Sequence, residues 1–331
     1  MAAAGQLTTG LAQARARYAL EAAGLDPTAP MDRADSVTNE VWLTDDVAVR
    51  VNRRPDRRLY REAHLAPFLP KEVGYPDVVA YGTGSGFDWL VLRRRPGRPL
   101  ARCWPSMSPA HRRGAIRQLA SMLRALHHTE APANLEPLPD TPQLLVRGDD
   151  PIAPLLAALE KLRGYAHVES RLIASLVTFA KATAPYIGRF ANTTLVHGDL
   201  TFENVLWDGE RITALIDFEW ARPAPPDLEL DVLLRFCAYP FLHVAPDYES
   251  ETRAEDYEDI PWWLRDDYPE LFDCPRELDR VRLYGVAFDV RELLAYPPTK
   301  PARELNEHHP LRRLNRLAAG TSHLDSLATG V

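Results

Sequence analysis

Leu195-Val196-His197-Gly198-Asp199-Leu200-Thr201-Phe202-Glu203-Asn204-Val205-Leu206 is the stretch that decides the fold. An apolar pair enters it and Val205-Leu206-Trp207 leaves it. A polar turn, Asp208-Gly209-Glu210, follows, then Ile212-Thr213-Ala214-Leu215-Ile216, ending in Asp217-Phe218-Glu219. The pattern predicts two short strands joined by a turn, with polar residues at their outer ends. A hairpin brings Asn204 close to Asp217, while Asp199 stays in the preceding loop. An amide oxygen and a carboxylate are hard ligands that suit Mg²⁺. Asp199 is then free to accept a proton from a hydroxyl. A surface hairpin of ordinary turn residues is the plain alternative, and the joint spacing of four polar groups argues against it.

A positioned base and a metal-binding pair are the parts that phosphoryl transfer requires. His-Gly-Asp-x4-Asn followed by Ile-Asp-Phe-Glu resembles the aminoglycoside phosphotransferase family of kinase-like enzymes. Its His-Gly-Asp differs from the His-Arg-Asp of protein kinases. The resemblance implies that Asp199 is the catalytic base, that Asn204 and Asp217 hold Mg²⁺, and that His197 braces the loop. It also implies that Asp227 caps a helix and ties down the catalytic loop.

Towards the N-terminus, Leu11 to Ala23 reads as a helix stopped by Gly24. Ser36 to Leu43 and Val47 to Val51 form a hairpin by pattern, turning at Thr44-Asp45-Asp46. Val47, Val49 and Val51 share one face of their strand; Ala48 and Arg50 share the other. The resemblance implies a nucleotide phosphate loop at Ser36, Thr38 and Asn39, although the glycines of a Gly-rich loop are absent. It places Arg50 where kinase-like folds carry a phosphate-binding lysine, and arginine can fork onto phosphate oxygens. Leu59, Glu62, Leu65 and Leu69 recur at helical spacing. The family pairing makes Glu62 the partner of Arg50. Arg53, Arg54, Arg57, Arg58 and Arg61 crowd the helix start and read as a solvated charge run. Two further strands precede Arg93-Arg94-Arg95-Pro96-Gly97. The resemblance makes this the hinge, with backbone groups of Arg93 and Arg95 meeting a purine edge.

Beyond the hinge, helices dominate: Pro109 to His128 with Ser108 as N-cap, Pro154 to Leu162, Val168 to Ala182, Glu229 to Ala238 and Glu277 to Leu294. Residues after Gly320 read as frayed. Asp247 to Asp273 holds eleven carboxylates against Arg253 and Arg265. Its negative field favours a cationic ligand, and Trp262 and Trp263 offer an aromatic face. Glu203, Glu255, Asp256, Glu258, Asp259, Trp262 and Trp263 are therefore the candidate acceptor-binding residues.

The chain has 331 residues, 46% hydrophobic and 26% charged, which suits a soluble globular protein. A net charge of -7 argues against broad nucleic-acid binding. Cys103, Cys237 and Cys274 have neither metal nor disulfide spacing, which suits a reducing cytoplasm. Neither a signal peptide nor a membrane span is read. Strands gather in the first hundred residues and helices follow, so the expected class is α+β. With the resemblance, this becomes a protein-kinase-like two-lobed fold, with residues 1–95 the nucleotide-binding lobe and 96–331 the helical lobe with catalytic loop and acceptor site. The implied activity is ATP- or GTP-dependent phosphorylation of a hydroxyl on a small polar molecule, first an aminoglycoside-like antibiotic. Amino-sugar, sugar and nucleoside-antibiotic kinases are rivals, and a degenerate nucleotide-binding regulatory protein is the alternative from another class.

Overall fold

Helix α1 (Thr9–Ala22) carries Ala12, Ala16, Ala19 and Leu20 at helical spacing, and all four are buried against a sheet. The computed structural model describes residues 9–36, 39–52, 55–84, 86–135, 144–146, 148–187 and 194–328. The sheet is formed by β1 (Asp32–Ala34), β2 (Glu40–Leu43), β3 (Val47–Val51), β4 (Val78–Gly84) and β5 (Phe87–Arg93), in the antiparallel order β1-β2-β3-β5-β4. Helix α2 (Arg58–Leu65) lies between β3 and β4 in sequence.

Strand alternation sets the two faces. Val47, Val49 and Val51 join Trp42, Phe87, Trp89 and Val91 beneath α1. Leu90 and Leu92 pack on Leu59 and Ala63 of α2. Arg50 sits opposite Leu90 in the β3–β5 register and shares the α2 side. The small sheet is thus covered by a helix on each face, the two helices read from Leu11 to Ala23 and from Leu59 onward. Both are needed because β5 is apolar on both sides from Trp89 to Leu92.

The chain leaves this sheet at Arg93. Its next strand, β6 (Arg98–Pro99), pairs instead with β8 (Val205–Trp207), which pairs with β9 (Ile212–Leu215). Helices α3 (Leu100–Cys103), α4 (Pro109–His127), α5 (Ala153–Leu162) and α6 (Ser170–Ile187) come between. Ser108 caps α4 by accepting from His111 N at 3.2 Å. β7 (Leu195–Val196) pairs with β10 (Arg222–Pro223), so the stretch from His197 to Ala221 leaves and re-enters one ribbon. Helices α7 (Leu228–Ala238), α8 (Ile260–Asp267), α9 (Glu277–Ala295), α10 (Pro310–Ala318) and α11 (Asp325–Ala328) complete the chain.

The larger core gathers Leu119, Leu123 and Leu126 of α4 around Phe202, Val205, Leu215 and Phe218. A second cluster joins α5, α6, α9 and α10. The expected fraying after Gly320 is corrected: Leu324 and Leu327 are buried in the larger core, and Asp325 pairs with Arg282 at 3.0 Å. The apolar residues of this tail have a surface to cover, which the sequence does not reveal. No described helix is long and apolar enough to cross a membrane.

Candidate active site

The β8–β9 hairpin fixes the site. Asp208 Oδ1 accepts from Glu210 N and Arg211 N, closing the turn. At the other end, Ile216 N donates to Asn204 O at 3.0 Å, so the residue before Asp217 is bonded to Asn204. Asn204 Nδ2 donates to Asp199 O at 2.8 Å. His197 lies beneath this loop: Nδ1 accepts from Asp199 N at 3.3 Å, and Nε2 donates to Ile216 O at 2.9 Å. That pairing assigns the proton to Nε2. Asp199, Asn204 and Asp217 are thus linked through one buried imidazole and the hairpin backbone. Gly198, at φ 78°, has no room for a side chain; a Cβ there would meet Trp220 O at 2.5 Å and Arg222 Nη1 at 2.6 Å.

Arg50 reaches in from β3. Its Nη1 bonds Glu62 Oε2 at 2.6 Å, and its Nη2 bonds Asp217 Oδ1 at 2.6 Å and lies 3.5 Å from Glu219 Oε2. Carboxylate oxygens of Glu62, Asp217 and Glu219 lie within 4.8 Å of one another, the crowding of a cation site. Here the guanidinium is the cation. Burial works against the Arg50 charge, but Asp217, Glu62 and Glu219 together raise its pKa well above the ordinary value. Glu62 also accepts from Tyr75 OH at 2.8 Å and Phe218 N at 3.1 Å. Glu219 accepts from Asn39 Nδ2 at 3.1 Å and Arg58 Nη1 at 3.2 Å. Arg61 is buried, with its guanidinium on the carbonyls of Glu219 and Ala221. Arg58 and Arg61 therefore bind the segment after Asp217, which corrects the reading of a solvated charge run.

A cavity of about 500 Å³ opens between the sheet and the helices. Of the residues singled out in the sequence, Ser36, Asn39, Arg50, Arg93, Arg95, Asp199, Glu203, Asn204 and Asp217 line it. His197 and Glu62 lie buried behind the lining. Thr38 lies outside the described residues. Ser36 turns its hydroxyl back onto Asn39 O. In the hinge, Arg93 N donates to Asp77 O, Arg94 Nη1 to Thr44 O at 2.7 Å, and Arg95 Nη2 to Thr213 O at 3.0 Å. The hinge arginines thus anchor one side to β9 and the other to the β2–β3 turn.

Burial, with repulsion from Asp217, pushes the Asp199 carboxyl up to about 6, against the pull of His197 and Arg291. A carboxylate so placed is a better proton acceptor than a free one and is still ionised near neutrality.

The sequence matches the model of the phosphotransferase enzyme family over residues 33–263. The chain belongs to that family. Being such a phosphotransferase, it acts on hydroxyl groups of small molecules. No curated protein matches it in sequence. Among solved structures, it is similar to aminoglycoside 2'-phosphotransferase-IIIa in its GDP complex: 19% identity, TM-score 0.60, covering 88% of this chain and 93% of that one. It is similar to APH(2")-IIa in its gentamicin complex, at 14% identity and TM-score 0.62, covering 96% and 98%. A choline/ethanolamine kinase family protein from Mesorhizobium loti matches at 18% identity and TM-score 0.58, covering 98% and 100%. These likenesses establish the kinase-like fold.

Two expectations about the phosphotransferase site are revised. Asp227 precedes α7 without capping it through its side chain. Its carboxylate takes Arg280 Nε and Nη2, each at 2.7 Å, and Tyr284 OH at 3.0 Å, and so it ties α7 to α9. The residue that holds the catalytic loop is Glu229, which accepts from His197 N and, at 3.3 Å, from Gly198 N. Burial would raise the Glu229 carboxyl, but His127, 3.7 Å away, His197 and the loop amide hold it below its ordinary value. The sequence offered one signal for it, an acid between Leu228 and Leu230 in a helix start whose other acid is Asp231.

The second revision concerns the acidic segment. None of Glu255, Asp256, Glu258, Asp259, Trp262 and Trp263 lines the cavity. Asp256 pairs with Arg112 at 3.2 Å and its carbonyl accepts from Trp104 Nε1 at 2.6 Å. Asp267 pairs with Arg113, Glu270 with Arg124 at 3.1 Å, and Asp247 with Arg102 at 2.6 Å. Trp262 and Trp263 pack partly buried against the larger core. Five of the segment's eleven carboxylates, Asp247, Asp256, Asp266, Asp267 and Glu270, answer arginines of α3 and α4, which are distant in sequence. Glu203 alone of this group reaches the cavity, 3.8 Å from Arg102 Nε, with burial pushing its carboxyl up to about 7.

Proposed function

We propose that this protein transfers the γ-phosphoryl group of ATP or GTP to a hydroxyl of a small molecule, with Asp199 as base. In this reading residues 1–95 supply the nucleotide-binding roof and residues 96–331 the catalytic loop and acceptor site. The hydroxyl oxygen attacks the γ-phosphorus, the bond from that phosphorus to the β–γ bridging oxygen breaks, and the nucleoside diphosphate leaves with the electron pair. The acceptor proton passes to Asp199.

The observation that carries the reading is the convergence on one cavity of Asp199, Asn204 and Asp217 with Arg50 facing them from the sheet. Asn204 spends its amide N–H on Asp199 O, and its Oδ1 has no protein donor among the described residues. Asp217 spends Oδ1 on Arg50, and its Oδ2 is likewise without a protein donor. Two oxygens beside the base fit a hard divalent ion, and Asn204 and Asp217 would hold Mg²⁺ there. Bound with the nucleotide, the ion would neutralise phosphate charge. Arg50, kept cationic by its three carboxylates, adds a fixed positive charge on the roof. The hinge backbone at Arg93 and Arg95 is assigned to the base of the nucleotide.

Aminoglycosides are acceptors suggested by the neighbours, since one is described as a gentamicin complex and another as a streptomycin–ATP complex. The experiment is a mass-shift screen of aminoglycosides, amino sugars, nucleosides and hydroxylated lipophilic compounds with Mg-ATP and Mg-GTP. A gain of one phosphoryl group, abolished in Asp199→Asn, supports the reading. Nucleotide binding with turnover indifferent to Asp199→Asn would assign the protein to the regulatory class instead.

A further inference from the structure

The lining contributed by the segment after Asp217, by α7 and α9, and by residues 144–145 differs in chemistry from what a polyamine requires. Leu144, Leu145, Val232 and Phe288 form apolar wall there, and Arg222 and Arg291 face the same space. Arg222 donates Nη1 to Trp220 O at 3.0 Å and has no carboxylate within ion-pair distance among the described residues. Burial pulls the guanidinium down to about 10 and Arg291 adds to this, against the pull of Glu229, Asp231 and Asp199, none of which pairs with it directly. Among the described residues Arg291 pairs with its chain neighbour Glu292 alone, at 3.0 Å, and sits over Phe288 at 4.4 Å from the ring centre. Both arginines lie within electrostatic reach of Asp199.

Apart from Asp199 itself, the carboxylates that border this part of the wall are already engaged. Asp231 is held by Arg235 at 2.6 Å, and Glu203 faces Arg102. A polycation would have to desolvate its amines against two guanidinium groups and apolar side chains, with few free acids to meet them. A molecule with an apolar body and one acidic group meets every feature of the wall.

We propose that the acceptor is an amphipathic hydroxy acid, its apolar body against Val232 and Phe288 and its anionic group on Arg222 and Arg291. The proposal rests on the phosphotransferase reading above. The transfer itself is unchanged: the hydroxyl oxygen takes the phosphoryl group, and its proton goes to Asp199.

The test uses the intact protein with Mg-ATP and three probes: 3-hydroxydecanoate, its neutral amide 3-hydroxydecanamide, and gentamicin. Calorimetric binding and phosphorylated product are both measured. Hydrogen bonds to a charged group make the acid the better acceptor over its amide by about 10-fold or more in kcat/KM. Arg291→Gln should remove most of that preference, bringing the acid-to-amide ratio of kcat/KM to within about two-fold of one, whatever the change common to both substrates. Turnover of gentamicin above both decane compounds, or no saturable binding of 3-hydroxydecanoate, overturns the proposal. So does equal use of acid and amide by the wild type. Mg-ATP binding is titrated in parallel. If ATP binds and is slowly hydrolysed in an Asp199-dependent way while the acid fails, only the acceptor assignment falls. If neither ATP nor GTP, titrated in the same way, binds or turns over, the phosphotransferase reading falls first.

Discussion

Asp199 shows how one carboxyl is tuned by its neighbours. Its pKa is raised to about 6, first by burial and then by Asp217. As the proposed base, Asp199 must be ionised to act, so activity should be lost as pH falls through about 6. We expect kcat/KM to rise with unit slope below that value and level off towards pH 7 in a pH–rate profile. Asp199→Asn should lower turnover by on the order of 10²- to 10⁴-fold while leaving the Kd for Mg-ATP close to wild type. The same burial makes the ionised Asp199 a cost to folding at neutral pH, because its folded pKa exceeds its unfolded one. The variant should therefore melt at or above the wild-type Tm. A large loss of Tm with retained turnover would show that Asp199 is structural.

Elements are joined at this site by two charged contacts. Arg50 ties β3 to α2 through Glu62 and to the end of β9 through Asp217. Arg50→Ala leaves Glu62 and Asp217 without their cation and Glu219 with Arg58 alone, a change that typically costs about 3–5 kcal/mol. Glu219 already has a pKa pushed up to about 8 by burial and by Asp217. A carboxyl with a raised folded pKa binds more protons folded than unfolded, so its contribution to stability falls as pH rises through that window. The Tm deficit of Arg50→Ala should accordingly shrink between pH 8 and pH 5 in a melting series. Arg50→Lys, with one nitrogen in place of a fork, should retain measurable activity and lie between the two. Glu229 joins α7 to the catalytic loop. Glu229→Gln keeps an oxygen for one of the two loop amides, whereas Glu229→Ala keeps none, and losing a charge-assisted bond costs about 1.5–3 kcal/mol. We expect Ala to lower kcat at least 10-fold more than Gln, with KM for ATP little changed; equal kinetics would leave Glu229 a packing residue.

For the whole molecule, the acidic segment is a docking surface for the arginines of α3 and α4. The variant with Glu255, Asp256, Glu258 and Asp259 all changed to amides should keep the acceptor KM within about two-fold of wild type and its salt dependence unchanged. Exposed pairs contribute about 1 kcal/mol or less each, so the stability change should also be modest. A several-fold rise in acceptor KM would return the segment to the acceptor site. Much was legible without coordinates. The hairpin after His197 was readable because its turn and strand residues are local, and local chemistry sets turns and caps. Arg50 could be placed opposite the apolar face of β3 because strand side chains alternate. The two-layer class followed from the order of strands and helices. What the sequence misassigned shares one cause. Asp227 and Glu229 lie two residues apart, and only the packing of α7 against α9 and the catalytic loop decided which acid went where. Eleven carboxylates seemed to face two arginines because the answering cations lie more than a hundred residues earlier. Local propensity and periodicity are carried by neighbours in the chain, so the sequence alone determined the elements and the reactive loop. Charge pairing and the wall of the cleft depend on residues that meet only after folding, so the tertiary structure alone decided them.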